Sequence, residues 1–183
     1  MSAKRKMRSG SANETRYRIS PGRAILRRQS GQTLLEVALL TPLLLLLLLG
    51  VIEMGRYAYF GILVGNAARA GAAYGAQSLP QSTCSATPCG IQLAAYNDFD
   101  PQNGGSQPAN LTVTSVTSCG CDSGGTITAA VCSGTLTEGT CATGHWVVMV
   151  SVTASGTFSS LFNYPGIPAS MTISRTSTMR VAN

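Results

Sequence analysis

Six cysteines, a single histidine and a glutamate set in a run of leucines are the residues of this 183-residue chain whose types and spacing could do chemistry. The cysteines (Cys84, Cys89, Cys119, Cys121, Cys132 and Cys141) all lie beyond residue 83. Their intervening spacings of four, one, ten and eight residues around the close pairs include no Cys-x2-Cys knuckle, so disulfide formation is favoured over zinc binding. Cys84 and Cys89 make a plausible local pair, whereas Cys119 and Cys121 are too close to bond each other comfortably and look to Cys132 and Cys141. Six cysteines allow fifteen connectivities, and spacing does not choose among them. The histidine, His145, stands beside Trp146 at the start of a β-branched run. A Cys–His nucleophile needs a free thiol. A serine hydrolase of the common α/β kind needs a Gly-x-Ser-x-Gly elbow, which the chain lacks. Asp98, Asp100, Asp122 and Glu138 fall in turn-like contexts, and neither a phosphate loop nor metal-ligand spacing occurs. The sequence therefore implies no enzyme, no cofactor and no metal.

Glu36 poses the sharper question, because it opens a stretch that is otherwise greasy on every side. From Leu34 to Ile52 the only interruptions are Glu36, Thr41, Pro42 and Gly50, and Leu43 to Leu49 are all leucine. As a helix these residues span roughly 28 Å at ~1.5 Å per residue, close to the ~30 Å hydrocarbon layer of a bilayer. Segment 34–52 is thus expected to cross a membrane. Residues 1–31 carry nine basic residues and one acid, Glu14, whereas residues 32–183 carry four basic and six acidic groups. The formal net charge of +6 is therefore the property of a leader, and no basic surface remains to grip nucleic acid. The same asymmetry predicts a cytoplasmic N-terminus and an exported C-terminus. Tyr57, Tyr59 and Phe60 stand where an interfacial aromatic belt is expected.

The context of Glu36 is Arg27-Arg28-Gln29-Ser30-Gly31, followed by Gln32-Thr33-Leu34-Leu35-Glu36. Cleavage after Gly31 makes Gln32 the first residue and Glu36 the fifth. This arrangement resembles a type IV prepilin processing site. With Leu39-Leu40-Thr41-Pro42, Glu53-Met54-Gly55-Arg56 and Asn66-Ala67-Ala68-Arg69-Ala70-Gly71-Ala72, it resembles the TadE-like family, minor pilins or pseudopilins of the tight-adherence (Flp) pilus system. The likeness covers roughly residues 27–77, and Met171–Val181 is similar to the closing strand of such proteins. Val37 departs from the aromatic that many members carry after the glutamate. The resemblance implies a prepilin peptidase that acts at Gly31 and Gln32, and a role for Glu36 in assembly. It also implies other pilin and pseudopilin subunits and the inner-membrane assembly platform as partners, besides the lipid bilayer, and a place in the bacterial inner membrane.

The elements that position these residues are set by composition. Glu53 to Gln77 is alanine-rich and free of proline, so the helix is predicted to run from about Gln32 to Gln77, near 70 Å at ~1.5 Å per residue. Pro42 lacks an N–H and is expected to kink or loosen it. Glu53 and Arg56 are spaced to pair along one face. Gly61, Gly65, Ala68, Ala72 and Gly75 form a small-residue seam that would let another helix approach closely. From Ser78 the composition turns to Ser, Thr, Gly, Asn and Pro. A short helix is predicted over 91–99, with strands over 111–117, 126–131, 146–153 and 171–181. The expectation is an α+β, pilin-like chain: a basic leader (1–31), a long helix (32–77) that includes the membrane span, and an exported antiparallel β domain (78–183) stapled by disulfides. Two other readings compete. One is an uncleaved, single-pass, membrane-anchored extracytoplasmic binding module. The other is a domain secreted after cleavage at Ala68-Arg69-Ala70, which lies far beyond the span.

Overall fold

The computed structural model describes residues 29–132, 134, 136–137, 139–162 and 168–182. The leader expected over 1–31 lies outside the described residues as far as position 28, as does Glu138. The chain divides into two units, residues 1–43 and 44–183, at a boundary just after Pro42. In the first unit the described residues form the opening of helix α1 (Gln29–Gly75), and residues 31–43 are all exposed. The helix begins three residues before Gln32 and continues unbroken through Pro42, where the Thr41 hydroxyl donates to the Val37 carbonyl at 2.6 Å. From Gly31 to Gly75 it is long and apolar enough to cross a membrane, and its most apolar window is wholly unburied by the rest of the chain. Side chains this greasy stay out of water only if lipid or another protein covers them.

The second unit sets the rest of α1 on one face of a four-stranded antiparallel sheet. Helix α2 (Gly90–Phe99) precedes strands β1 (Leu111–Ser123), β2 (Thr126–Ala130), β3 (His145–Ser159) and β4 (Ser170–Arg180), and the spatial order is β2-β1-β3-β4. The α+β architecture is as the sequence predicts, though β1 and β3 run longer than their β-branched cores. β1 and β2 are joined by Gly124-Gly125, both at positive φ (63° and 91°), which suits a two-residue hairpin loop. The Asp122 carboxylate holds that turn by accepting the Gly125 N–H at 2.9 Å.

Alternation puts Val148, Val150, Val152, Ala154 and Phe158 of β3 on the buried face, with Leu111 and Val113 of β1 and Ile173 of β4. Against them α1 packs Val64, Ala67, Ala68 and Ala72, all essentially inaccessible. Helix α2 lies beside α1 on the β1 side. Its Gln92 accepts the Cys89 N–H at 3.1 Å and donates to the Val113 carbonyl at 3.1 Å, so one side chain caps the helix and ties it to the sheet. Ile91, Ala95 and Tyr96 fill the seam between them, and burial pushes the Tyr96 hydroxyl pKa above its ordinary value. The C-terminus closes on the same core: Val181 N–H donates to Val148, and Ala182 N–H to Ala76 at the end of α1.

Three disulfides staple this unit: Cys84–Cys89, Cys119–Cys132 and Cys121–Cys141. The two on β1 arise because Cys119 and Cys121 leave the strand on one face, one residue apart, and meet the long β2–β3 connection from both sides. On the opposite, outward face, hydroxyls pair across β3 and β4: Ser151 with Thr178, Thr153 with Thr176 and Ser155 with Ser174, at 2.8 to 3.0 Å.

Candidate functional site

The proposed processing residues, Gly31 and Gln32, sit in the first turns of α1. A Cβ built on Gly31 meets no atom of the described residues outside its own helix turn within 4 Å. Glu36 is exposed one turn further on, with no hydrogen bond or ion pair among the described residues. A carboxylate on an apolar, uncovered helix calls for either an aqueous interface or a partner group of opposite charge.

The second acidic residue of the helix is placed very differently. Glu53 accepts from Arg56 at 2.9 Å, the pair expected from their spacing, and its other oxygen accepts the Leu161 N–H at 3.1 Å. The Arg56 guanidinium lies over the Phe158 ring at 5.3 Å, so it is anchored by charge and by the ring face. Tyr57 and Phe60 stack edge-on and tilted against Phe158 at 5.6 and 5.8 Å, and Phe60 also meets Phe99 of α2 at 5.7 Å. Only Tyr59 of the three expected belt aromatics is fully exposed. The aromatic belt is therefore mostly an intramolecular collar, because the sheet edge begins at this height of the helix. Above Met171 the collar leaves an apolar cavity of about 410 Å³, lined by Gly50, Met54, Tyr57 and Phe158 among others.

The small-residue seam divides. A Cβ on Gly75 would come within 2.9 Å of Ile91, and one on Gly71 within 3.1 Å of the Ile91 carbonyl oxygen. Here the helix that approaches closely is the chain's own α2. Ala68 and Ala72 are buried under the sheet. Gly61 and Gly65 lie further from the sheet: added Cβ atoms would rest at 3.9 Å, in ordinary contact with Ile173 and Arg175. These two glycines floor an open groove of about 310 Å³ between α1 and β4, bounded by Tyr57, Ile62, Asn66, Arg69 and Arg175. The groove is a feature that sequence reading missed. Its only trace there was two arginines without carboxylates at helical or cross-strand spacing.

His145 lies 3.6 Å from the Asp122 carboxylate, which also meets Arg180 at 3.4 Å. This trio joins the start of β3, the end of β1 and the end of β4. All six cysteines are in disulfides, so no thiol stands ready to work with His145 as a nucleophile. Asp122 is occupied by the hairpin, by Arg180 and by the nearby His145 ring, an arrangement that stabilises a strand terminus.

Neither the curated proteins nor the solved structures searched contain a match to the chain. The family model described as TadE-like protein does match, over residues 31–73, so the bare glycine, the lone carboxylate, the greasy span and the Asn66–Ala72 stretch on α1 are together a TadE-like segment.

Proposed function

We propose that the chain is a TadE-like minor pilin or pseudopilin of a tight-adherence pilus system, made as a precursor and clipped between Gly31 and Gln32 by a prepilin peptidase. The observation that carries this reading is the match over residues 31–73, which begins at Gly31 and covers all but the last two residues of the apolar helix stretch Gly31–Gly75. On this reading segment 34–52 holds the precursor in the inner membrane, with the leader in the cytoplasm and the disulfide-linked sheet outside. The oxidising side is where three disulfides persist, which fits that orientation. Extraction from the membrane exchanges lipid for the helices of neighbouring subunits, and Glu36 then finds its partner charge in an adjacent subunit. The protein acts as a substrate and a building block rather than as a catalyst.

The N-terminal residue of the protein recovered from cells tests the proposal. Gln32, free or cyclised to pyroglutamate, is the expected terminus, and Gly31→Leu should leave the leader attached because a branched side chain replaces the bare position. Normal processing of that variant would refute the cleavage assignment. An intact leader in the wild-type chain would favour the membrane-anchored binding module, and a terminus at Gly71 the secreted domain.

A further inference from the structure

Four arginines lie beyond the span, and the structure sorts them into two kinds. Arg56 is paired with Glu53 and Arg180 with Asp122. Arg69 and Arg175 have no ion pair among the described residues, and both line the same open groove over Gly61 and Gly65. The carboxylates sort in parallel. Glu53 and Asp122 are engaged, while Asp98 and Asp100, at the end of α2, have no ion pair among the described residues, and the Asp100 carboxylate accepts the Gln102 N–H at 3.2 Å. Among the described residues of this unit, two unmatched cations on one side are thus balanced by two unmatched anions on another.

Their positions correspond as well as their charges. Helix α2 covers the β1 side of the sheet, where Gln92 reaches Val113. The groove is the equivalent space on the β4 side, beside Ile173 and Arg175, and nothing among the described residues fills it. The acidic tip of α2 is fixed in height by Phe99 against Phe60. The groove runs along α1 from Tyr57 to Arg69, about 18 Å by helix rise, so the level of Phe60 falls within it. Two copies anchored through the same apolar helix stand at the same height in a membrane. Placed side by side, one copy's acidic tip reaches the level of its neighbour's groove. Lipid phosphate fits poorly, since Arg69 is 17 residues beyond Ile52, roughly 25 Å by helix rise, well outside the headgroup layer.

We infer that the α1–β4 groove receives the Asp98–Asp100 end of α2 from a second copy of this chain, with Arg69 and Arg175 facing the two carboxylates. This rests on the subunit reading above and names the partner surface within it. Exposed ion pairs add little affinity but fix register and exclude wrong neighbours; contact area comes from Ile62 against Leu93 of α2, both exposed. Because the two surfaces differ, the contact is heterologous and repeats head to tail, giving a ring or an open row rather than a two-fold dimer.

The test uses the full-length chain in bacterial membranes, as two differently tagged copies, with a benzophenone amino acid in place of Ile62. Light should join the two tagged copies, with the link mapping to residues 93–100. R69E/R175E should lower the yield by about tenfold, as should D98K/D100K. Mixing a copy with R69E/R175E and a copy with D98K/D100K should restore it. Links that map elsewhere, that join only other proteins or that are absent overturn the inference; so does a yield indifferent to charge reversal, or no restoration between variants whose disulfides are intact. The N-terminal residue of the same material separates the two readings. Gln32 without the link refutes this contact alone, whereas the link with an intact leader refutes the processing alone.

Discussion

Glu36 and Gly156 show how much a single position depends on what surrounds it. Glu36 is exposed on an apolar surface, and on the proposed reading its role lies between subunits. Glu36→Ala should leave membrane insertion unchanged while lowering incorporation into the fibre by roughly tenfold or more, as expected when one half of a desolvated pair is removed; quantitative immunoblotting of membrane and sheared-fibre fractions reads both, and equal incorporation would remove Glu36 from assembly. Gly156, on β3, shows the opposite dependence, on contacts within the chain. A Cβ there would lie 2.7 Å from Val64 and 2.9 Å from the Phe60 ring. Gly156→Ala should cost about 1–3 kcal/mol by overpacking. Gly55→Ala, where nothing lies within 4 Å, should be neutral or gain up to about 1 kcal/mol from helix propensity. Thermal unfolding of the two variants compares them directly, and equal melting temperatures would contradict the packing described.

Among elements, the strand β1 carries the heaviest constraint, because Cys119 and Cys121 tie it to a long connection through two separate bridges. Chain entropy makes bridges over longer loops worth more. Cys121–Cys141 spans 20 residues and Cys84–Cys89 only five. Replacing the first pair by alanine should therefore cost about 3 kcal/mol and the second about 2. Denaturant midpoints give the order, and a larger loss from the short loop would show that native-state geometry outweighs chain entropy here. The elements themselves are legible in sequence, since period-two runs such as Trp146–Thr153 and the turn chemistry at Gly124-Gly125 act locally. Their ends are less so: β3 continues to Ser159 through Ala154, Ser155 and Gly156, residues of low strand propensity held by partners on both sides.

For the whole molecule, the decisive property is where charge and greasiness lie along the chain. Residues 1–31 hold nine basic groups and one acid, a net of +8, whereas residues 32–183 hold four basic and six acidic groups, a net of −2, which together give the chain its +6. Cleavage at Gly31 should therefore turn a basic protein into a mildly acidic one. Isoelectric focusing of precursor and mature forms checks this, and a mature form that still focuses as a base would contradict processing at that position.

Composition and order along the chain by themselves determine the basic N-terminal stretch, the long apolar helix, the small sheet and the use of cysteine for disulfides, because hydropathy, charge and strand periodicity act over a few residues at a time. Only the tertiary structure decides which cysteines meet and that Tyr57 and Phe60 turn inward to Phe158. It also decides that Gly71 and Gly75 serve the chain's own α2 while Gly61 and Gly65 are left to an open groove. Those outcomes depend on which strand lies under which turn of α1, and that pairing brings together residues about a hundred positions apart, such as Gly65 and Arg175.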